Sequence, residues 1–175
     1  MKFITALLLL LTTCYCASAQ TSTENAPDTG SHFHLNYDLA KPDFTAVLDD
    51  DLEEISGLSL SADGQKLLAI QDEDGMVFEL DKATGLVTDD YTFHKEGDYE
   101  GVEMVGESVF VVKSNGKIYE IHQAGEDRQQ TIKYTTALNK EYDVEGLGYD
   151  PVRKCLLLAC KELGDAEGDG KTDEK

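Results

Sequence analysis

Three short segments of this chain carry acids at the same spacing before a glycine. They are Glu54-Ile55-Ser56-Gly57, Asp98-Tyr99-Glu100-Gly101 and Asp143-Val144-Glu145-Gly146. In an extended chain, the positions three and one before the glycine have the same parity, so both side chains point the same way. Glu54, Asp98, Glu100, Asp143 and Glu145 are therefore candidates for one shared site. Carboxylates held together repel and raise one another's pKa unless something positive sits among them. A hard divalent cation with about six to eight oxygen ligands answers that need, which makes calcium the expected cofactor. Glu100 and Glu145 lead the candidate metal ligands, followed by Glu54, Asp98 and Asp143. The ordinary alternative for the same acids is turn hydrogen bonding, pairing with Lys113 and Lys161, or plain exposure to water.

Other chemistry is poorly represented. There is no Gly-x-Ser-x-Gly, no His-Glu-x-x-His and no glycine-rich phosphate loop followed by lysine. Ser56 lies near acids but has no nearby histidine, so it is a poor nucleophile. His32, His34, His94 and His122 are scattered, and no histidine-based metal or catalytic site is expected. Asp165-Ala166-Glu167-Gly168-Asp169-Gly170 begins like a calcium loop but lacks the closing glutamate, so it reads as a solvated loop. The acidic run Asp49-Asp50-Asp51 with Glu53 reads as solvated too, with Glu54 turning inward.

The elements that must position the acids follow from a repeat. The three glycines are 44 and then 45 residues apart, and each segment reads acid, apolar, polar or acid, glycine, apolar, any, apolar. Short apolar runs alternate with turn signals: Leu67-Leu68-Ala69-Ile70, Met76-Val77-Phe78, Val109-Phe110-Val111-Val112, Ile118-Tyr119-Glu120-Ile121 and Cys155 to Cys160. No long stretch keeps a helical stripe. A period of 40–50 residues with about four short strands is the signature of a β-propeller blade. Middle strands covered on both faces lose polar alternation, as in Val109 to Val112. Tyr91-Thr92-Phe93 and Thr131 to Tyr134 read as outer strands, and residues 33–48 as an outer strand of the last blade. A smaller β-sandwich is the structural alternative. The expected fold is all-β, with about three four-stranded antiparallel blades of a probable five-bladed ring and repeats beginning near 54, 98 and 143. The third copy stops before its outer strands, so the expectation is a partial propeller from an incomplete gene product, with an apolar blade face and a strand edge exposed.

Composition bounds the partners. The 175 residues hold 15 basic and 35 acidic side chains, a formal net charge of −20. That argues against nucleic acid, which needs a basic patch, and disfavours anionic lipid surfaces. The expected partner is a small molecule or protein at the channel mouth. Lys2, the apolar run over residues 6–11 and Ala17-Ser18-Ala19 predict a cleaved signal peptide over 1–19. The run is far shorter than the roughly 20 residues of a transmembrane helix. Residues 20–32 read as a flexible lead-in before a domain over 33–175, and the mature chain is expected outside the cytoplasm. Acylation of Cys14 is the lesser reading, because Thr13 suits it poorly. Cys155 and Cys160 lie on one strand, about 16 Å apart, too far for a disulfide.

The acid-glycine repeats, with Leu52-Glu53-Glu54-Ile55-Ser56-Gly57-Leu58, Tyr142-Asp143-Val144-Glu145-Gly146-Leu147 and Lys161-Glu162, resemble the SdiA-regulated family, exported bacterial propellers distantly similar to NHL-repeat propellers. The resemblance covers about residues 36–165 and implies a five-bladed ring associated with calcium, without established catalysis. The functional expectation is a non-enzymatic, calcium-binding module. Its rival is a calcium-dependent hydrolase, similar to esterase-like phytases or to gluconolactonases, acting through a channel-mouth metal.

Overall fold

The computed structural model describes Asp38 and residues 40–163. The signal peptide, the lead-in, the loop from Asp165 and residues 33–37 and 39 of the expected strand over 33–48 lie outside the described residues. The described part of that segment contains no strand. All strands among the described residues belong to the unit that holds residues 47–163.

Among the described residues, ten strands form three antiparallel sheets, each in simple up-and-down order. The first blade is β1 (Ile55–Leu60), β2 (Lys66–Gln71), β3 (Met76–Asp81) and β4 (Val87–Thr92). The second is β5 (Tyr99–Val105), β6 (Ser108–Lys113), β7 (Ile118–His122) and β8 (Gln130–Tyr134). The third sheet pairs only β9 (Val144–Asp150) with β10 (Cys155–Cys160) among the described residues. The turns follow local chemistry. Asp63 accepts hydrogen bonds from Ser61 Oγ (2.7 Å) and Gln65 N (3.0 Å) between β1 and β2. Asp150 caps the β9–β10 turn by accepting from Val152 N at 2.8 Å and Arg153 N at 3.0 Å.

The apolar runs are buried on both faces, as stacked blades require. Leu68, Ile70, Val77, Tyr91 and Phe93 of the first blade pack on Tyr99, Val102, Val109, Val111, Tyr119 and Ile121 of the second. Alternate residues of β6, Phe110 and Val112, turn the other way and pack with Val144 and Leu156. On the far side of the first blade, Leu52 covers Ala69, Phe78 and Leu80. First strands lie side by side, β1 against β5 and β5 against β9. This is the β-propeller arrangement, and it excludes the sandwich.

β10 differs from expectation. Cys155 and Leu156 are buried, but Leu157 and Leu158 are half-buried and Ala159 is exposed, because β10 has one strand neighbour and one covered face. Cys155 and Cys160 are both free thiols. Leu58 and Leu60, on the side of β1 away from β5, are 57% and 50% exposed.

Candidate functional site at the blade mouths

Each repeat segment enters its first strand through the same irregularity. Ile55 pairs with Gln71 and Gly57 with Ile70, leaving Ser56 as the extra residue of a bulge. Tyr99 and Gly101 pair with Lys113 and Val112, leaving Glu100. Val144 and Gly146 pair with Cys160 and Ala159, leaving Glu145. A bulge re-aims the side chain it carries, and here it sets Ser56, Glu100 and Glu145 in equivalent places. The glycine that follows allows neighbouring first strands to touch: a Cβ at Gly57 would meet Val102 N at 2.9 Å and Gly101 Cα at 3.1 Å. A repeated backbone bond ties the blades at this level. Tyr99 N donates to Asp72 O at 2.9 Å, and Val144 N donates to Ser114 O at 2.8 Å. The starts of β5 and β9 are thereby fixed to the end of the preceding blade's second strand.

The acids so placed are satisfied unequally. In the third sheet, Lys161 Nζ lies 2.7 Å from Glu145 Oε1 and 3.2 Å from Asp143 Oδ2. Those two carboxylates hold the Lys161 ammonium above its ordinary range. Asp143 adopts a left-handed backbone conformation (φ 46°), which aspartate tolerates better than most residues. In the second blade, Ser114 Oγ donates to Asp98 Oδ2. In the first blade, the equivalent of Ser114 and Lys161 is another acid, Asp72. Asp72 Oδ1 is buried and has no hydrogen-bond partner. Asp72 first, then Glu73, pushes the exposed Glu54 carboxyl upward.

Glu100 stands among these groups. Burial first, then the hydrogen bond and charge of Asp98, then the charges of Glu145 and Asp72, push its carboxyl up to about 7. The structure thus relates Glu100 to Asp98 and Glu145, and joins Asp143 to Glu145 through Lys161. Glu54 lies toward Asp72 and also lines an outer groove with Asp50, Asp51, Glu53, Glu73 and Asp74. Asp72 and Ser114 were not among the candidate ligands. Their signal in the sequence was position, directly after each second strand's apolar run, where the third copy has Lys161.

The oxygen donors and the orphaned Asp72 Oδ1 suit a hard cation. Their positions do not form a finished shell, since among the described residues no group of three or more acidic, histidine or cysteine side chains is arranged to hold a metal. Of the two histidines among the described residues, His94 lies 4.7 Å from the Tyr119 ring, centroid to centroid, and His122 Nδ1 is 3.0 Å from Ser108 Oγ.

The SdiA-regulated family model matches residues 36–163. No curated protein shows a significant match. Among solved structures, hydrazine synthase of Kuenenia stuttgartiensis is similar at 18% identity and TM-score 0.47, over 63% of this chain and 31% of that one. The Cps50 (Swd1) β-propeller domain of Myceliophteria thermophila is similar at 15% identity and TM-score 0.43, over 59% and 35%. BamB of Moraxella catarrhalis is similar at 18% identity and TM-score 0.36, over 58% and 35%. The chain therefore spans about a third of the length of these structures.

Proposed function

Because this chain belongs to the SdiA-regulated family, and because its mouth gathers carboxylates short of positive charge, we propose that it is an exported binding module without catalysis of its own. It takes a calcium ion beside Glu100, Asp98 and Asp72 and offers the loaded mouth to a small molecule or protein. The observation that carries this reading is Asp72 Oδ1, a buried carboxylate oxygen without a partner, close enough to Glu54 and Glu100 that its charge raises both. A buried polar atom left unpaired is costly, and a cation among these oxygens removes that cost and the mutual repulsion together. Glu145 and Asp143 join the shell only if Lys161 releases them. Bound calcium would supply positive charge and oxygen coordination; the chain's own residues supply the donors and hold them through the bulges.

Calorimetric titration of the full chain with calcium tests this. Saturable binding that Glu100→Gln combined with Asp72→Asn abolishes is expected; binding unchanged in that variant removes those residues from the site. The hydrolase reading draws on one observation, a Glu100 carboxyl near 7, which suits a general base. Calcium-dependent turnover of a phosphoester or lactone, lost in Glu100→Gln, would favour it.

A further inference from the structure

The second blade carries a chain of polar side chains that the mouth does not use. Where β6 begins, Ser108 pairs directly with His122 of β7, and two residues on Phe110 pairs with Glu120. Side chains two apart on a strand share a face, so Ser108, Glu120 and His122 stand together, at the opposite end of β6 from Lys113 and the mouth. Ser108 Oγ lies 3.0 Å from His122 Nδ1. The other ring nitrogen, Nε2, lies 3.4 Å from Glu120 Oε1. Tyr134 on β8 donates its hydroxyl to Glu120 Oε2 at 2.6 Å and holds the carboxylate from its far side.

These partners assign the ring proton. An ionised carboxylate can only accept, so in the neutral imidazole Nε2 carries the hydrogen and Nδ1 is left to accept from the Ser108 hydroxyl. A serine bonded to a histidine that is oriented by a carboxylate is the arrangement that activates a hydroxyl as a nucleophile. The hydroxyl also has room before it. Ser108, Glu120 and Tyr134 line a groove of about 780 Å³ whose other walls include Phe110, Tyr149 and Leu156. Apolar walls beside a few polar groups suit an acyl chain.

We infer that Ser108 is a nucleophilic serine that takes up the acyl group of a reactive ester with an apolar acyl chain. Ser108 Oγ bonds to the carbonyl carbon while its proton passes to His122 Nδ1. The bond from that carbon to the leaving oxygen then breaks; the leaving oxygen keeps the electron pair and takes the proton from the imidazolium. The products are acylated Ser108 and the alcohol. Glu120 is a positioning residue, which orients the ring and stabilises its charged form. The step is a single modification of the chain, so it goes beyond the calcium reading and stands without it.

The test is incubation of the full chain with p-nitrophenyl butyrate and, in parallel, with a fluorophosphonate, in the presence of a chelator. Intact-mass spectrometry and peptide mapping follow the adducts. A single adduct on Ser108 is expected, absent in Ser108→Ala. His122→Gln should slow labelling about a hundredfold, and Glu120→Gln about tenfold or more. In Glu120→Gln the melting temperature should stay close to the parent's, while side-chain nitrogen NMR shows the ring proton of His122 no longer confined to Nε2. No Ser108 adduct with either reagent, adducts spread over lysines instead, or a Ser108 adduct that forms at the parental rate in His122→Gln would overturn the inference. If His122→Gln fails to fold, nitrogen NMR of the parent chain decides: a ring proton on Nδ1 overturns it.

Discussion

Gly101 presents a bare α-carbon to Leu147 of the next blade: a Cβ built at 101 would lie 2.8 Å from Leu147 Cβ and 3.0 Å from Leu147 N. The backbone nitrogen cannot swing aside, so the contact fixes the separation of β5 and β9. Gly101→Ala should destabilise the fold by about 1–3 kcal/mol, the usual cost of forcing extra atoms into a packed contact. Gly148, on the same strand as Leu147, has open space where its Cβ would be, so Gly148→Ala should be neutral or slightly stabilising. Urea denaturation of both variants checks the pair, and equal effects would show that the repeat glycines are not spacers.

Tyr91 and Tyr99 are both buried but differ at their hydroxyls. Tyr91 OH has no partner, whereas Tyr99 OH donates to Lys95 O at 2.7 Å. Tyr91→Phe removes an unsatisfied polar atom and should leave stability unchanged or raised. Tyr99→Phe should cost about 1 kcal/mol for the lost bond. Thermal denaturation distinguishes them, and a larger loss in Tyr91→Phe would mean that its hydroxyl is bonded in solution.

Glu100 gives the fold a pH dependence of definite sign. Its carboxyl titrates near 7 in the folded chain, against an ordinary 4.5. Between those values the folded state binds more protons than the unfolded state, so stability falls as pH rises through that window. Glu100→Gln removes this contribution, and its melting temperature should decline less between about pH 5 and 8 than that of the parent chain. Parallel curves would place the Glu100 carboxyl in an ordinary environment. On the calcium reading, added calcium should restore the parent's stability chiefly at the upper end of the window.

The fold was legible because its signals are local and repeated. Glycines at 57, 101 and 146 recur at blade spacing, and runs such as Val109 to Val112 have the two-sided apolarity of a stacked middle strand. Each repeat enters its first strand through a bulge, at Ser56, Glu100 and Glu145. The site was less legible because its balance depends on the residue after each second strand. Asp72, Ser114 and Lys161 differ in charge while occupying one structural place, so the repeat that reveals the fold hides their divergence.

Lys161 is the residue through which the third sheet withholds its acids. Its ammonium lies within 4 Å of both Asp143 and Glu145, and Glu145 in turn contributes to the raised carboxyl of Glu100. The side chain is exposed, so the fold depends little on it and Lys161→Gln should shift the melting temperature only slightly. Its effect on the mouth should be larger in proportion. Loss of one positive charge frees two carboxylates and deepens the local negative potential, which should tighten calcium binding by about two- to fivefold at low salt. The gain should shrink as ionic strength rises, because exposed charges are screened. Titration of Lys161→Gln with calcium at two salt concentrations measures both effects. Affinity that stays unchanged would place Asp143 and Glu145 outside the cation's surroundings and confine the site to Asp72, Asp98 and Glu100.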